Sequence, residues 1–562
     1  MKILIKYIFL TYLFFVIINA QDNPHFAKNG MVVSASQLAS QIGVDIMKSG
    51  GNAIDAAVAT GFALAVTYPQ AGNIGGGGFL VAHLADGRNI TIDFRETAPS
   101  SAYRDMYLDE NSDVVKNMSL YTHSAVGVPG SVAGLLTAWS SYGSENISLK
   151  QLLEPSIVLA KFGFAISDRF AQNLNEYSTL FEKDAGASKV FIRADGNPWQ
   201  TDDLLLQMDL AKTLQLIARN ELDGFYSGKT AELIVDEMKD GNGLITLTDL
   251  KSYTPVLRKP ITGSYKKYNI VSMGPPSSGG ILLVQMLNML ENYELDSLEL
   301  NSTDYIHLLT EIERRAYADR AEHLGDSDYW NVPIGMMTSK SYAVERAQNI
   351  SMGKATPSSE VFAGDPLSYE SPETTHYSVI DKDGTAVSVT TTLNWSFGSG
   401  ILVNGAGFFL NNEMDDFSAK PGTPNAFGLV GNKANAIIPY KRPLSSMTPT
   451  IVLKDNKPFI VIGSPGGSRI ITTVLQVILN IVEYDMDIHK AVSVPRVHSQ
   501  WLPDVIMVES NTISDSVRKE LESRGHKIIL KGNIGLANGI LINEEGYYGG
   551  PDPRWENSAI GY

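Results

Sequence analysis

The sequence predicts a layered α+β fold, and three observations predict it. Apolar residues recur at helical spacing near the N-terminus and again through the middle of the chain. From Thr374 onward they alternate with a period of two, between turns rich in Gly, Asn and Pro. The helix patterns also come in pairs and blocks, which disfavours a strictly alternating βαβ chain.

Taken in order, Ala35, Leu38, Ala39, Ile42 and Ile46 form one apolar helix face, stopped at Gly50-Gly51. A second helix follows over about 53–66, ending before Pro69, and its many alanines predict close packing. Asn73-Ile74-Gly75-Gly76-Gly77-Gly78 leads into a strand at 79–82. The middle, about 150–350, reads as mainly helical, with an apolar face at 208–219 and a long helical stretch at 305–323. Gly274-Pro275-Pro276-Ser277-Ser278-Gly279-Gly280 interrupts it and starts an apolar helix over 281–290. Later strands are expected at 450–453 and 459–462, joined by a turn, and a helix at about 470–483.

The chain has 562 residues, enough for a large buried core, and a formal charge of −16. That charge argues against nonspecific binding to nucleic acid or anionic membrane. The absence of cysteine excludes disulfides, thiol nucleophiles and thiolate metal sites. Lys2 and Lys6 precede or flank an apolar run that ends at Asn19-Ala20-Gln21, the pattern of an export signal covering 1–20. The alternative is an uncleaved anchor, but the run is short for a span of about 20 apolar residues. An exported protein, periplasmic or secreted, is expected, with no membrane attachment once the signal is removed.

The segment Glu373-Thr374-Thr375-His376-Tyr377-Ser378-Val379 follows a Pro/Ser/Gly-rich stretch and opens a strand. A threonine freed there by cleavage would carry a hydroxyl nucleophile and an α-amine base on one residue. Lys382-Asp383-Gly384 predicts a three-residue hairpin loop with Gly in the left-handed position. Asp381 then pairs with Thr385, and counting back pairs Thr374 with Thr392. Cβ atoms directly opposite lie about 4.5–5.5 Å apart, close enough for the two hydroxyls to hydrogen-bond. The plainer reading is an ordinary Thr–Thr cross-strand pair.

Other motifs stay open on their own residues. The tetraglycine lacks the Lys-Ser/Thr of a phosphate loop and reads as a close-packed turn. The histidines show no metal-ligand spacing. Ser464-Pro465-Gly466-Gly467-Ser468-Arg469, between a strand and a helix, is either an oxyanion site or a tight turn. Glu413, Asp415 and Asp416 read as a solvated acidic loop as readily as a site. Arg95 is placed to pair locally with Asp93 or Glu96, and Ser445-Ser446 after Pro443 suits a simple turn.

Together these segments resemble the gamma-glutamyltransferases (gamma-glutamyltranspeptidases). The ordered set comprises Gly72 to Phe79, Asp93-Phe94-Arg95-Glu96, Gly127-Val128-Pro129-Gly130, the 274–280 motif, 374–379, 410–417, 442–447 and 463–469. The resemblance implies an N-terminal-nucleophile hydrolase fold, an αββα sandwich of two stacked, mainly antiparallel sheets flanked by helices. It implies a precursor cut between Glu373 and Thr374, giving a large subunit of 21–373 and a small one of 374–562, intertwined in one unit. By the family pattern Thr374 is the nucleophile, Thr392 its hydroxyl partner, and Gly466 and Gly467 form the oxyanion hole. Arg95, Ser445 and Ser446 would hold the substrate α-carboxylate, and Asn394, Glu413 and Asp416 the α-ammonium. The γ-glutamyl group of glutathione or a related compound would pass to water or to an amino acid or peptide amine. No cofactor or metal is implied.

One departure is Phe427, where many bacterial members carry a lid tyrosine. Packing without the hydroxyl is expected to give a lid that opens more readily. Unchanged KM and hydrolysis-to-transfer ratio in Phe427→Tyr would contradict this. The rival readings are a glutaryl-cephalosporin-type acylase, a poly-γ-glutamate hydrolase and an exported solute-binding protein that never cleaves.

Overall fold

A computed structural model describes residues 25–362 and 374–562, apart from 421, 424, 426–428 and 430. The signal segment 1–20, Glu373 and Phe427 lie outside the described residues.

The chain opens with β1 (Phe26–Ala27) and β2 (Gly30–Ser34), then α1 (Gln37–Lys48) and α2 (Ala53–Thr67). Ser36 caps α1 through its side chain, and Asn52 and Asp55 form a reciprocal capping box on α2. Every residue of α2 is buried, as its alanines predict. The two helices approach so closely that a Cβ on Gly43 would lie 2.4 Å from Thr60 Oγ1. Strands β3 (Gly77–His83) and β4 (Asn89–Asp93) follow, and after a largely helical stretch come β5 (Val256–Arg258), β6 (Ile261–Tyr265) and β7 (Tyr268–Ser272). Then come α3 (Gly279–Leu290) and α4 (Thr303–His323). The remainder holds β8 (Thr375–Asp381), β9 (Ala386–Thr392), β10 (Thr450–Lys454), β11 (Lys457–Gly463), α5 (Arg469–Val482), β12 (Asn538–Ile542), β13 (Tyr547–Pro551) and β14 (Ser558–Gly561). The turn between β10 and β11 puts Asp455 and Asn456 both at positive φ, a two-residue hairpin turn suited to the strand twist.

These strands make two seven-stranded sheets. One runs β14-β2-β8-β9-β3-β4-β5, the other β1-β13-β12-β11-β10-β7-β6, and every neighbouring pair within them is antiparallel. Strand alternation assigns the layers. Val32, Leu80, Val379 and Val387 face α1 and α2 in one apolar cluster, whereas Met31, Phe79, Val81 and Ile380 face the other sheet. In the second sheet Val271, Ile451 and Val461 meet that inner layer, and Ile270, Val452 and Ile460 pack against α3, α4 and α5. The result is an αββα sandwich, the architecture the resemblance implies.

The inner layer is not wholly apolar. Ser378 Oγ donates to Asn538 O at 3.0 Å and Ser388 Oγ to Ile462 O at 3.1 Å, tying the sheets together. His376 sits between them, with Nδ1 2.9 Å from Thr390 Oγ1 and Nε2 3.0 Å from Ser378 Oγ. Burial pushes its pKa down to about 3, so it is neutral and serves the core. This polar ladder leads along β8 to Thr374.

Candidate active site

Strands β8 and β9 pair Thr375 with Thr391 and His376 with Thr390, and close through Gly384 at φ +88. This is the register counted from the sequence. Thr374, one residue before β8, places its Oγ1 3.4 Å from Thr392 Oγ1, donating to it. Both side chains are buried. Thr392 Oγ1 also accepts from the Asn394 N–H at 2.7 Å, where the chain turns away at φ +77. Asparagine tolerates that left-handed conformation better than most residues.

The tetraglycine lets the backbone press against β9. A Cβ at Gly76 would lie 2.0 Å from Thr392 O, and one at Gly78 2.3 Å from Thr390 O. The amide of Asn73 donates to Thr391 Oγ1 at 3.2 Å and to Thr392 O at 2.9 Å, while its Oδ1 accepts from Gly76 N and Ser131 Oγ. Asn73 is thus the staple that holds the end of β9, a role its sequence position beside the glycines did not reveal.

Arg95 lies just beyond β4 and is buried. Its two terminal nitrogens donate separately to Glu413 Oε1 and Asp416 Oδ2. Glu96 is 3.7 Å from the guanidinium. The local pairing expected of Arg95 is therefore a minor part of its environment: Asp93 accepts only its backbone N–H, at 2.9 Å. Nor is the acidic run a solvated loop. Glu413 and Asp416 turn inward from a short 3-10 helix (Glu413–Asp416), and Asp415 accepts from Ser119 Oγ at 2.6 Å. Three carboxyl groups share one guanidinium. Burial disfavours the charge on Arg95, but Glu413, Asp416 and Glu96 outweigh it and keep the group cationic. Burial also raises all three acids against the pull of Arg95. Glu96, the most distant, accepts no hydrogen bond at its carboxyl group among the described residues, and burial pushes it up to about 8.

Gly466 and Gly467 adopt φ +136 and +57 immediately before α5, whose first turn begins at Arg469. Consecutive positive-φ glycines at a helix start present backbone N–H groups to an anion. Ser445 and Ser446 sit opposite, on the turn after Pro443, with the Ser445 N–H bonded to Pro276 O at 2.9 Å. Asn394 Nδ2 donates to Asn412 O at 3.0 Å.

One cavity is lined by Thr374, Thr392, Arg95, Asn394, Glu413, Asp416, Ser445, Ser446 and Gly467. Gly466 stands beside Gly467 but outside the lining. Leu429, Met447 and Ile470 complete the wall. From the lid-like loop, Asn425 Nδ2 donates to Asp416 Oδ1 at 3.1 Å. Sequence reasoning missed Asn73, the buried role of Glu96, and Arg320. The last, on α4, donates to Ser278 Oγ and Ser446 Oγ. The arrangement offers a hydroxyl nucleophile, a donor nest for a developing oxyanion, and adjoining groups of both charges that suit a zwitterion.

The model of the family described as "Gamma-glutamyltranspeptidase" matches residues 39–562. The glutathione hydrolase proenzyme of Escherichia coli is 49% identical over 533 residues, covering 95% of this chain and 91% of that protein. Among solved structures, a chain of Helicobacter pylori gamma-glutamyltranspeptidase is 47% identical, with TM-score 0.58, covering 59% of this chain and 94% of its own. A cephalosporin acylase from Bacillus halodurans superposes with TM-score 0.82 at 25% identity, covering 97% of each chain.

Proposed function

The chain belongs to the gamma-glutamyltranspeptidase family, and from that premise we propose that Thr374 is the nucleophile with which it first cuts itself and then moves γ-glutamyl groups. It is an enzyme of the glutathione hydrolase type, made as a proenzyme and processed to two subunits. We place the subunits at 21–373 and 374–562, exported after removal of 1–20. Among the described residues no helix is long and apolar enough to cross a membrane.

In the uncut chain the Thr374 nitrogen is an amide and cannot act as a base. Its Oγ1 adds to the Glu373 carbonyl, the C–N bond breaks, and the departing nitrogen takes the proton. Water then hydrolyses the ester and leaves Thr374 as a free N-terminus. The new α-amine, with an ordinary pKa of about 7.7–8.0, suits a base near neutral pH. It takes the Oγ1 proton as oxygen attacks a γ-glutamyl carbonyl, while Thr392 holds that oxygen in place. The Gly466 and Gly467 N–H groups meet the charge on the carbonyl oxygen. The amine leaves with the proton, and water or an acceptor amine releases the γ-glutamyl ester.

Recognition follows from charge. The α-carboxylate goes to Arg95, Ser445 and Ser446, and the α-ammonium to Asn394, Glu413 and Asp416. Binding asks Arg95 to exchange carboxylate partners. A zwitterion brings one charge of each sign, so neither side is left buried and unpaired. A glutaryl group brings only another negative charge to a cluster already holding three carboxyl groups.

The observation that carries this reading is the single cavity joining the Thr374–Thr392 pair to the Arg95–Glu413–Asp416 cluster. Turnover of γ-glutamyl and glutaryl anilides tests it. Strong preference for the γ-glutamyl anilide is expected; equal or reversed preference would support the acylase reading instead.

A further inference from the structure

We propose that Arg320 is a positioning residue for the α-carboxylate of the donor, turning the Ser446 hydroxyl proton into the cavity and adding a second cation beside Arg95. The inference rests on the γ-glutamyl reading of the pocket and names a residue that this reading does not contain.

Arg320 lies on α4 and is buried. Its Nε donates to Ser278 Oγ at 3.0 Å and its Nη2 to Ser446 Oγ at 3.2 Å. Among the described residues no carboxylate forms an ion pair with it. Burial lowers its pKa to about 10, Tyr317 and Asp416 raise it, and Arg95 lowers it, so the group stays cationic at neutral pH. A buried cation that makes no ion pair of its own is costly to keep. The cost is explained if an anion enters next to it.

The hydroxyls give the direction. Serine has one proton to donate and can also accept. Ser446 Oγ accepts from Arg320, so its own proton must point elsewhere. Ser445 Oγ likewise accepts from the Met447 N–H at 3.1 Å. Among the described residues neither hydroxyl finds an acceptor, and both serines line the cavity. Two O–H donors are thereby turned toward the space beside Arg95. A carboxylate, which only accepts, is the group that matches two hydroxyl donors beside a guanidinium.

The support behind the serines comes from the 274–280 motif, which the reaction itself does not use. Ser278 donates to Ser445 O through both N, at 2.8 Å, and Oγ, at 2.7 Å. Ser277 Oγ donates to Met447 O at 2.6 Å. A Cβ on Gly279 would lie 2.3 Å from Thr448 Oγ1, so glycine is needed for this contact. Arg320 therefore grips both the serine turn and the segment that carries it.

The test compares two donors in wild type, Arg320→Gln and Arg320→Lys: a γ-glutamyl anilide and the 4-aminobutyryl anilide, which keeps the ammonium and lacks the α-carboxylate. In Arg320→Gln, loss of a charged hydrogen-bond network should raise KM for the γ-glutamyl donor roughly 10- to 100-fold. The change in kcat, and in kcat/KM for the 4-aminobutyryl donor, should stay within about threefold. Arg320→Lys should fall between. A parallel loss on both donors, or no change in KM for the γ-glutamyl donor, overturns the proposal. Should Arg320→Gln fail to fold or process, the same contrast is read from Arg320→Lys, where a carboxylate-dependent rise supports the role and a parallel loss refutes it. A wild-type enzyme indifferent to the α-carboxylate would overturn the pocket reading, and this inference with it, and is recognised because it appears without any substitution.

Discussion

Thr392→Val keeps the shape of a side chain and removes one oxygen. That oxygen accepts from the Asn394 N–H at 2.7 Å and from Thr374 Oγ1 at 3.4 Å. Losing the first leaves a buried N–H unpaired, a cost of about 1–3 kcal/mol. Against a typical stability of about 5–15 kcal/mol the variant should still fold. The second contact is long in the resting arrangement and contributes little there. It matters when Thr374 Oγ1 gives up its proton, because the Thr392 hydroxyl can then donate to a developing negative charge. A hydrogen bond to a charged group is worth about 1.5–3 kcal/mol, which corresponds to a roughly 10- to 150-fold loss in rate. The loss should appear in both self-cleavage and turnover, since one oxygen performs both. Appearance of the two fragments over time, and kcat on a γ-glutamyl anilide, are the assays, with thermal unfolding as the control for folding. Thr392→Ser retains the hydroxyl and should stay within about tenfold of wild type in both. Wild-type rates in Thr392→Val, or a serine variant as slow as the valine one, would refute the reasoning.

Three further outcomes follow from the same contacts. Arg95→Gln strands Glu413 and Asp416 beside Glu96 and should cost about 3–5 kcal/mol in urea unfolding; adding Glu413→Gln should recover part of it, and simple additivity of the two losses would count against the cluster. Glu96 has a folded pKa near 8, above its ordinary 4.5, so the stability from its protonated form is full below 4.5 and is lost as pH rises through 8. Glu96→Gln should therefore flatten the decline in melting temperature over that window, and an unchanged profile would contradict it. Gly78→Ala drives a Cβ to within 2.3 Å of Thr390 O and should abolish self-cleavage in any protein that still folds; normal fragments from this variant would show that β3 and β9 can separate without harm.

What could be read from the sequence depended on how local the cause was. The hairpin was legible because a three-residue loop with Gly384 fixes the count, so Thr374 falls opposite Thr392. The buried helices at 53–67 and 279–290 were legible from their high apolar content. Arg95 was not. Its nearest acids in sequence are Asp93 and Glu96, but its main partners lie 318 and 321 residues away, brought in by the turn that follows β9. The run 411–416 looks soluble in composition, and only its packing under Arg95 buries it. Arg320 sits in a helix rich in charged residues, 126 residues from Ser446, and no spacing rule connects them. Gly466-Gly467 read equally as a turn or an oxyanion site, and the structure adds that the pair forms a positive-φ turn just before α5.

On the proposed mechanism Thr374 becomes an N-terminus before it becomes a catalyst. N-terminal sequencing of the purified, active protein tests it most directly. Two sequences are expected, one from the start of the exported large fragment and one reading Thr-Thr-His-Tyr-Ser from Thr374. A single unbroken chain that still turns over a γ-glutamyl anilide, or a small fragment beginning at any other residue, would contradict it.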